Sequence, residues 1–135
     1  MAWRRSTVQV FALIYGLAFA VVGLAGFMDQ GMAHETQHLF GVFPVNGLHN
    51  FFHLLIGLAG IAVYFGTALS ARYYAQTVGI IYLVLGFLGF VTPDLFGLMP
   101  IGGADIALHF IAAAIALYFG YAPASAVETR RPITH

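Results

Sequence analysis

The chain has 135 residues, 61% of them hydrophobic and 7% charged, with five arginines, no lysine and no cysteine. A composition this apolar cannot cover a domain of this size with water-compatible surface, so the chain reads as a membrane protein. The absence of cysteine excludes disulfides, thiolate metal sites and thiol nucleophiles, and a formal net charge of zero argues against nucleic acid as a partner.

Four apolar stretches follow one another, at about 8–28, 47–69, 75–91 and 104–121, each near the roughly 20 residues needed to cross about 30 Å of hydrocarbon as a helix. The first is preceded by Arg4 and Arg5 and followed by small residues before His34, as in a signal peptide. Its apolar run is longer than the roughly 7 to 15 residues of a signal-peptide core, so it reads as an uncleaved span. Arg4 and Arg5 precede span one, Arg72 lies between spans two and three, and Arg130 and Arg131 follow span four. All five fall on one side of the membrane, and the positive-inside rule makes that side the cytoplasm, with both termini there. Trp3, Tyr73, Tyr74 and Tyr121 fall at the expected inner boundary, where amphipathic rings are favoured. Four of the five acids and five of the six histidines fall on the outer side. The tail from 122 to 135 reads as a short disordered cytoplasmic end.

The loop after span one contains His34-Glu35-Thr36-Gln37-His38, the letters of the helical zinc motif H-E-x-x-H. In that motif two histidines bind metal and the glutamate acts as general base. A protease reading needs this segment on a packed helix, such as a short interfacial one from Met32 to Phe40, with Asp29 or His49 as third ligand. A short outer loop does not supply that context, so a chance match is favoured.

The segment Leu39 to His53 aligns without gaps with Leu95 to His109, and Leu, Phe, Gly, Pro, Gly and the final His are identical. Tyr64-Phe65-Gly66 similarly resembles Tyr118-Phe119-Gly120, and Ile14-Tyr15 and Gly26-Phe27 find rough echoes in Ile81-Tyr82 and Gly89-Phe90. Spans one and two therefore resemble spans three and four. The expected fold is all-α, a four-helix transmembrane bundle made of two parallel-repeat helical hairpins in a single domain, with a pseudo-twofold axis along the membrane normal. The glycines Gly16, Gly23, Gly26, Gly57, Gly60, Gly79, Gly86 and Gly89 read as close-packing positions between helices.

The repeat brings the ionisable residues to equivalent places. His49, Asn50 and His53 open span two, and Asp105 and His109 open span four, with i and i+4 neighbours on one helix face. Polar groups in the outer turns of a span must be paired, hydrated or coordinated. Three readings follow: a structural hydrogen-bond network joining the hairpins, with Asn50 among its members; a ligand site; and a transport path. As a ligand site, His49, His53, Asp105 and His109 suit a transition metal such as zinc. Alternatively His53 and His109 ligate a haem, or one of them a chlorophyll-type ring, if Gly57, Gly60, Ala112, Ala113 and Ala114 leave space for a flat cofactor.

The segment Phe43-Pro44-Val45-Asn46-Gly47-Leu48-His49-Asn50-Phe51-Phe52-His53-Leu54, followed by Gly57, and the second element Asp105-Ile106-Ala107-Leu108-His109 resemble the pattern of a family of small four-span bacterial membrane proteins of unknown function. In architecture alone the chain is also similar to DoxX-like four-helix membrane proteins. The resemblance implies a bacterial plasma (inner) membrane protein and no activity, and it does not include His34 to His38. The resulting expectation is a non-enzymatic protein in the lipid bilayer, either packing in a larger membrane complex or homo-oligomer or holding an ion or cofactor in an outward-facing polar cluster.

Overall fold

A computed structural model describes residues 4–124, so Trp3, Glu128, Arg130, Arg131 and His135 lie outside the described residues. Three of the four helices begin where a side chain satisfies free N–H groups. Ser6 caps α1 (Thr7–Gln30) in a reciprocal capping box with Gln9, and Asn46 caps α2 (Gly47–Phe65) by accepting from the His49 N–H. Thr67 forms a second capping box with Ser70 at the start of α3 (Ala68–Val91). α4 (Ala104–Tyr121) starts after Gly103, at φ 61°, without a side-chain cap, and carries Asp105 in its first turn, where the helix dipole favours an acid. Span two therefore stops at Phe65 rather than Leu69, and the third helix starts at Ala68 rather than 75. Thr67 provides the start signal that apolar periodicity could not show. All four helices are long and apolar enough to cross a membrane, and the protein is an all-α transmembrane bundle.

The outer loop between α1 and α2 folds into a small antiparallel hairpin, β1 (Gln37–Leu39) and β2 (Phe43–Val45), with Leu39 opposite Phe43. Phe40 and Gly41 turn it in the left-handed region, at φ 55° and 72°. Phe96 and Gly97 repeat that conformation, at φ 58° and 82°, in the loop between α3 and α4.

Helices α1 and α2 pack as one hairpin and α3 and α4 as another, with α1 and α3 in contact between them. Gly16, Gly23 and Gly26 let α2 approach: a Cβ at Gly16 would meet Gly57 O at 2.7 Å, and one at Gly23 would meet Leu54 N at 2.6 Å. The second hairpin uses Gly79, Gly86 and Gly89 against Leu117, Phe110 and Ile106. Along the chain these neighbours correspond in order: Gly23 with Leu54 and Gly86 with Phe110, Gly26 with Asn50 and Gly89 with Ile106. The inner ends match as well. Gln9 Nε2 donates to the carbonyls of Tyr64 (3.2 Å) and Gly66 (2.9 Å), and Arg72 donates to those of Gly120 (3.2 Å) and Ala122 (2.7 Å). In this register Phe19 corresponds to Tyr82, which corrects the looser echo of Tyr15 with Tyr82.

The apolar core, built from Phe11, Ala12, Tyr15, Ala71, Tyr74, Ala75, Val78, Ala113 and Ala116 among others, fills the part of the bundle below the polar cluster. Two phenols join the hairpins across it. Tyr15 Oη donates to Ala112 O at 3.2 Å, and Tyr74 Oη donates to Ile56 O at 2.8 Å. Tyr74 is thus a core residue at 8% exposure rather than a boundary anchor, while Tyr73 and Tyr121 are exposed. The i+1 position of Tyr74 relative to Tyr73 rotates it from the lipid face to the bundle face.

Candidate metal centre

His49 is the third residue of α2 and Asp105 the second of α4, so both project from the outermost turns. His53 and His109 follow one turn deeper on the same faces. All four are buried, at 2%, 1%, 4% and 3% exposure for His49, Asp105, His53 and His109. His49 Nε2 lies 3.5 Å from Asp105 Oδ2, too long and unassisted for a good hydrogen bond. One ligand atom from each of His49, Asp105 and His109 falls within 4.8 Å of the others. His53 stands beside this trio, its ring 4.3 Å from that of His49.

The imidazoles belong to a closed circle of rings contributed by all four helices. Phe19 contacts His53 (5.4 Å) and Tyr82 (5.1 Å), Tyr82 stacks on His109 (5.4 Å), and His109 and His53 both face His49 (6.2 and 4.3 Å). Here the first hairpin supplies the imidazole of His49 and the second the carboxylate of Asp105.

Polar atoms in this region are left without hydrogen-bond partners. Among the described residues these are His49 Nδ1, His53 Nδ1, His109 Nδ1, both carboxylate oxygens of Asp105, both amide atoms of Asn50 and Tyr82 Oη. Burying such groups unpaired costs about 1–3 kcal/mol each, and more for a charge. Asn50 is fully buried and set against Gly26 of α1.

A flat macrocycle does not fit here. A Cβ at Gly57 would run into Ala20 of α1, and one at Gly60 would meet Tyr74 Oη at 2.6 Å and Ala12 O at 2.7 Å. The small residues are therefore filled by neighbouring helices, and Ala114 faces outward. A single ion suits the donors better. At metal–ligand bonds of about 2.0–2.1 Å a tetrahedral site spaces its ligands by roughly 3.4 Å. The His49–Asp105 edge, at 3.5 Å, is close to that spacing, and His49, Asp105 and His109 would be the residues to hold such an ion.

His34, Glu35 and His38 do not form a helical zinc motif. His34 and Glu35 lie in a bend, His38 is in β1, and all three are exposed. Histidines four apart share a face on a helix and not across a bend and a strand. Sequence reasoning overlooked Asn46, although an Asn immediately before an apolar helical run is a start signal. Besides capping α2, its Nδ2 donates to Leu98 O (3.0 Å) and His34 O (3.4 Å).

A family model described as Domain of unknown function (DUF4383) matches residues 9–122, which takes in all four spans and every residue of the cluster. The chain belongs to the DUF4383 family. No curated protein and no solved structure matches it. The DUF4383 description assigns no activity, so the chemistry of the site is the available guide to function.

Proposed function

We propose that this protein is a small non-enzymatic protein of the bacterial inner membrane that holds one divalent transition-metal ion between its two hairpins. His49, Asp105 and His109 are the ligands, and His53 is the neighbouring imidazole available to complete the set. The observation that carries this reading is the convergence of ligand atoms: one from each of His49, Asp105 and His109 lies within 4.8 Å of the others, and both Asp105 oxygens lack a hydrogen-bond partner among the described residues. A cation satisfies carboxylate and imidazole lone pairs together.

The matching contacts of the two hairpins support an internal duplication with the site on its pseudo-twofold axis. The arginine distribution supports cytoplasmic termini and an outward-facing site. The lipid-facing helix surfaces leave room for a larger membrane complex or a homo-oligomer as the setting of the bound ion. The F-x-V-N-x-x-H-N-x-x-H-L segment and the D-x-x-x-H element then mark the two halves of one ligand set.

The test is metal analysis of protein purified without chelator, followed by thermal unfolding with zinc, copper, nickel, cobalt or manganese. The expected result is near-stoichiometric metal and a raised Tm. His109→Gln should lose the metal while the bundle stays folded, because an amide is a poor substitute for imidazole. Metal-free wild-type protein whose Tm is unmoved by every ion would defeat the proposal.

A further inference from the structure

The cluster is buried, and a shallow groove of about 480 Å³ lies among the segments that precede α2 and α4, with Pro44, Pro93, Asp94, Pro100, Gly102 and Gly103 in its lining. One of these residues is bonded to a ligand through the backbone: the Asp105 N–H donates to Gly102 O at 3.3 Å. In each half the residue after the proline turns inward: Val45 and Ile101 are 1% and 0% exposed. These two apolar side chains, a corresponding pair, close the outer end of the bundle.

The two outer loops are tied together by Asn46. Its Oδ1 accepts from the His49 N–H at 2.9 Å, holding the first turn of α2, while its Nδ2 donates across to Leu98 O at 3.0 Å in the loop of the other hairpin. One side chain thus links the backbone of a ligand to the segment that covers the site. Within the second loop Ile101 N–H and Gly102 N–H both donate to Pro93 O, at 2.8 and 3.0 Å.

We propose that the outer loops form a latched cover. A hydrated divalent transition-metal cation exchanges between the outer solution and the His49–Asp105–His109 site through the groove between Pro44 and Pro100, and the Asn46–Leu98 hydrogen bond is the latch. This rests on the metal reading above. Asn46 is a positioning residue, touching no ion and setting only how often the cover opens. Exchange then belongs to one side of the membrane, the side away from the arginines.

Asn46→Asp separates the two roles of this side chain. A carboxylate is as good an N-cap as an amide and keeps the acceptor for the His49 N–H, but it has no donor for Leu98 O and faces that carbonyl with an oxygen. In protein loaded with cobalt or zinc, stopped-flow transfer to a chelator should be about tenfold faster than in wild type, the equivalent of about 1.4 kcal/mol in the opening equilibrium. The association rate should rise equally, leaving Kd and helix content unchanged. A second measurement uses the absence of native cysteine: Asn46→Cys with Leu98→Cys, joined by a short bifunctional thiol reagent, should slow metal release at least tenfold. In oriented proteoliposomes, an impermeant chelator should remove the metal only from the outer side. Wild-type exchange rates in both the Asp variant and the cross-linked protein, with metal bound normally, would overturn the cover and leave the metal site standing. Release to chelator on the cytoplasmic side would likewise overturn the route. Failure of every form to bind metal would overturn the site itself, and the route with it.

Discussion

Asp105→Asn separates a ligand from a structural strut by the sign of its effect. Asp105 is 1% exposed, neither carboxylate oxygen has a hydrogen-bond partner among the described residues, and His49 Nε2 is 3.5 Å away. A buried carboxylate in that state lowers stability by a few kcal/mol relative to a neutral group of the same shape. Asn preserves the volume and removes the charge, so in chelator-stripped protein the variant should be more stable than wild type by about 1–3 kcal/mol. At roughly 4 °C per kcal/mol for a chain of this size, that is a rise in Tm of about 4–12 °C. With metal at about a hundred times Kd, wild type should gain about 2.7 kcal/mol from binding, whereas the variant, lacking its anionic ligand, should gain little. The order of the two proteins should therefore narrow or invert between chelator and metal. The assay is thermal unfolding in one detergent, followed by far-ultraviolet circular dichroism, with chelator and with a zinc or cobalt series. If Asp105→Asn lowered Tm in chelator, Asp105 would be a paired structural group and the ligand argument would fail.

Two further outcomes follow from the packing. Gly57→Ala places a Cβ against the backbone of Ala20, which can yield only by moving α1 and α2 apart, and should cost about 1–3 kcal/mol; Gly79→Ala meets mainly the flexible Leu117 side chain and should cost less, so equal Tm losses in the two variants would contradict the close backbone contact of the first hairpin. Replacing His34 and His38 together by Gln should leave metal stoichiometry and Tm unchanged within about 0.5 kcal/mol, as for exposed positions away from any site, and loss of metal in that variant would move the site to the outer loop.

Much of the fold was legible because membrane spans are written in composition. Apolar runs and capping residues define the helices, and the gapless likeness of Leu39–His53 to Leu95–His109 tells which helices correspond. The register between the first and third helices was not legible. There the only marks are glycines and aromatics among interchangeable apolar residues, and Phe19 with Tyr82 became a pair only through the contacts of Gly23 with Leu54 and Gly86 with Phe110. Tyr74 was misplaced for a related reason: a phenol near a span end suits a lipid boundary and a helix interior equally, and the rotation of the helix decides between them. The H-E-x-x-H letters were set aside as a chance match, and the bend and strand that hold them agree, because a spacing of four carries meaning on a helix alone.

By itself, then, the sequence determined the solvent the protein lives in and the number of its spans. These depend on side-chain chemistry and on periods within one helix. What only the tertiary structure decided is which side chains meet. It brought His49, Asp105 and His109 within 4.8 Å, set His53 beside them, filled the space a macrocycle would need with Ala20 and Tyr74, and placed Asn46 across the two halves. Such relations depend on the angle and depth at which separate helices pack, and those are set by glycine contacts between residues remote in sequence.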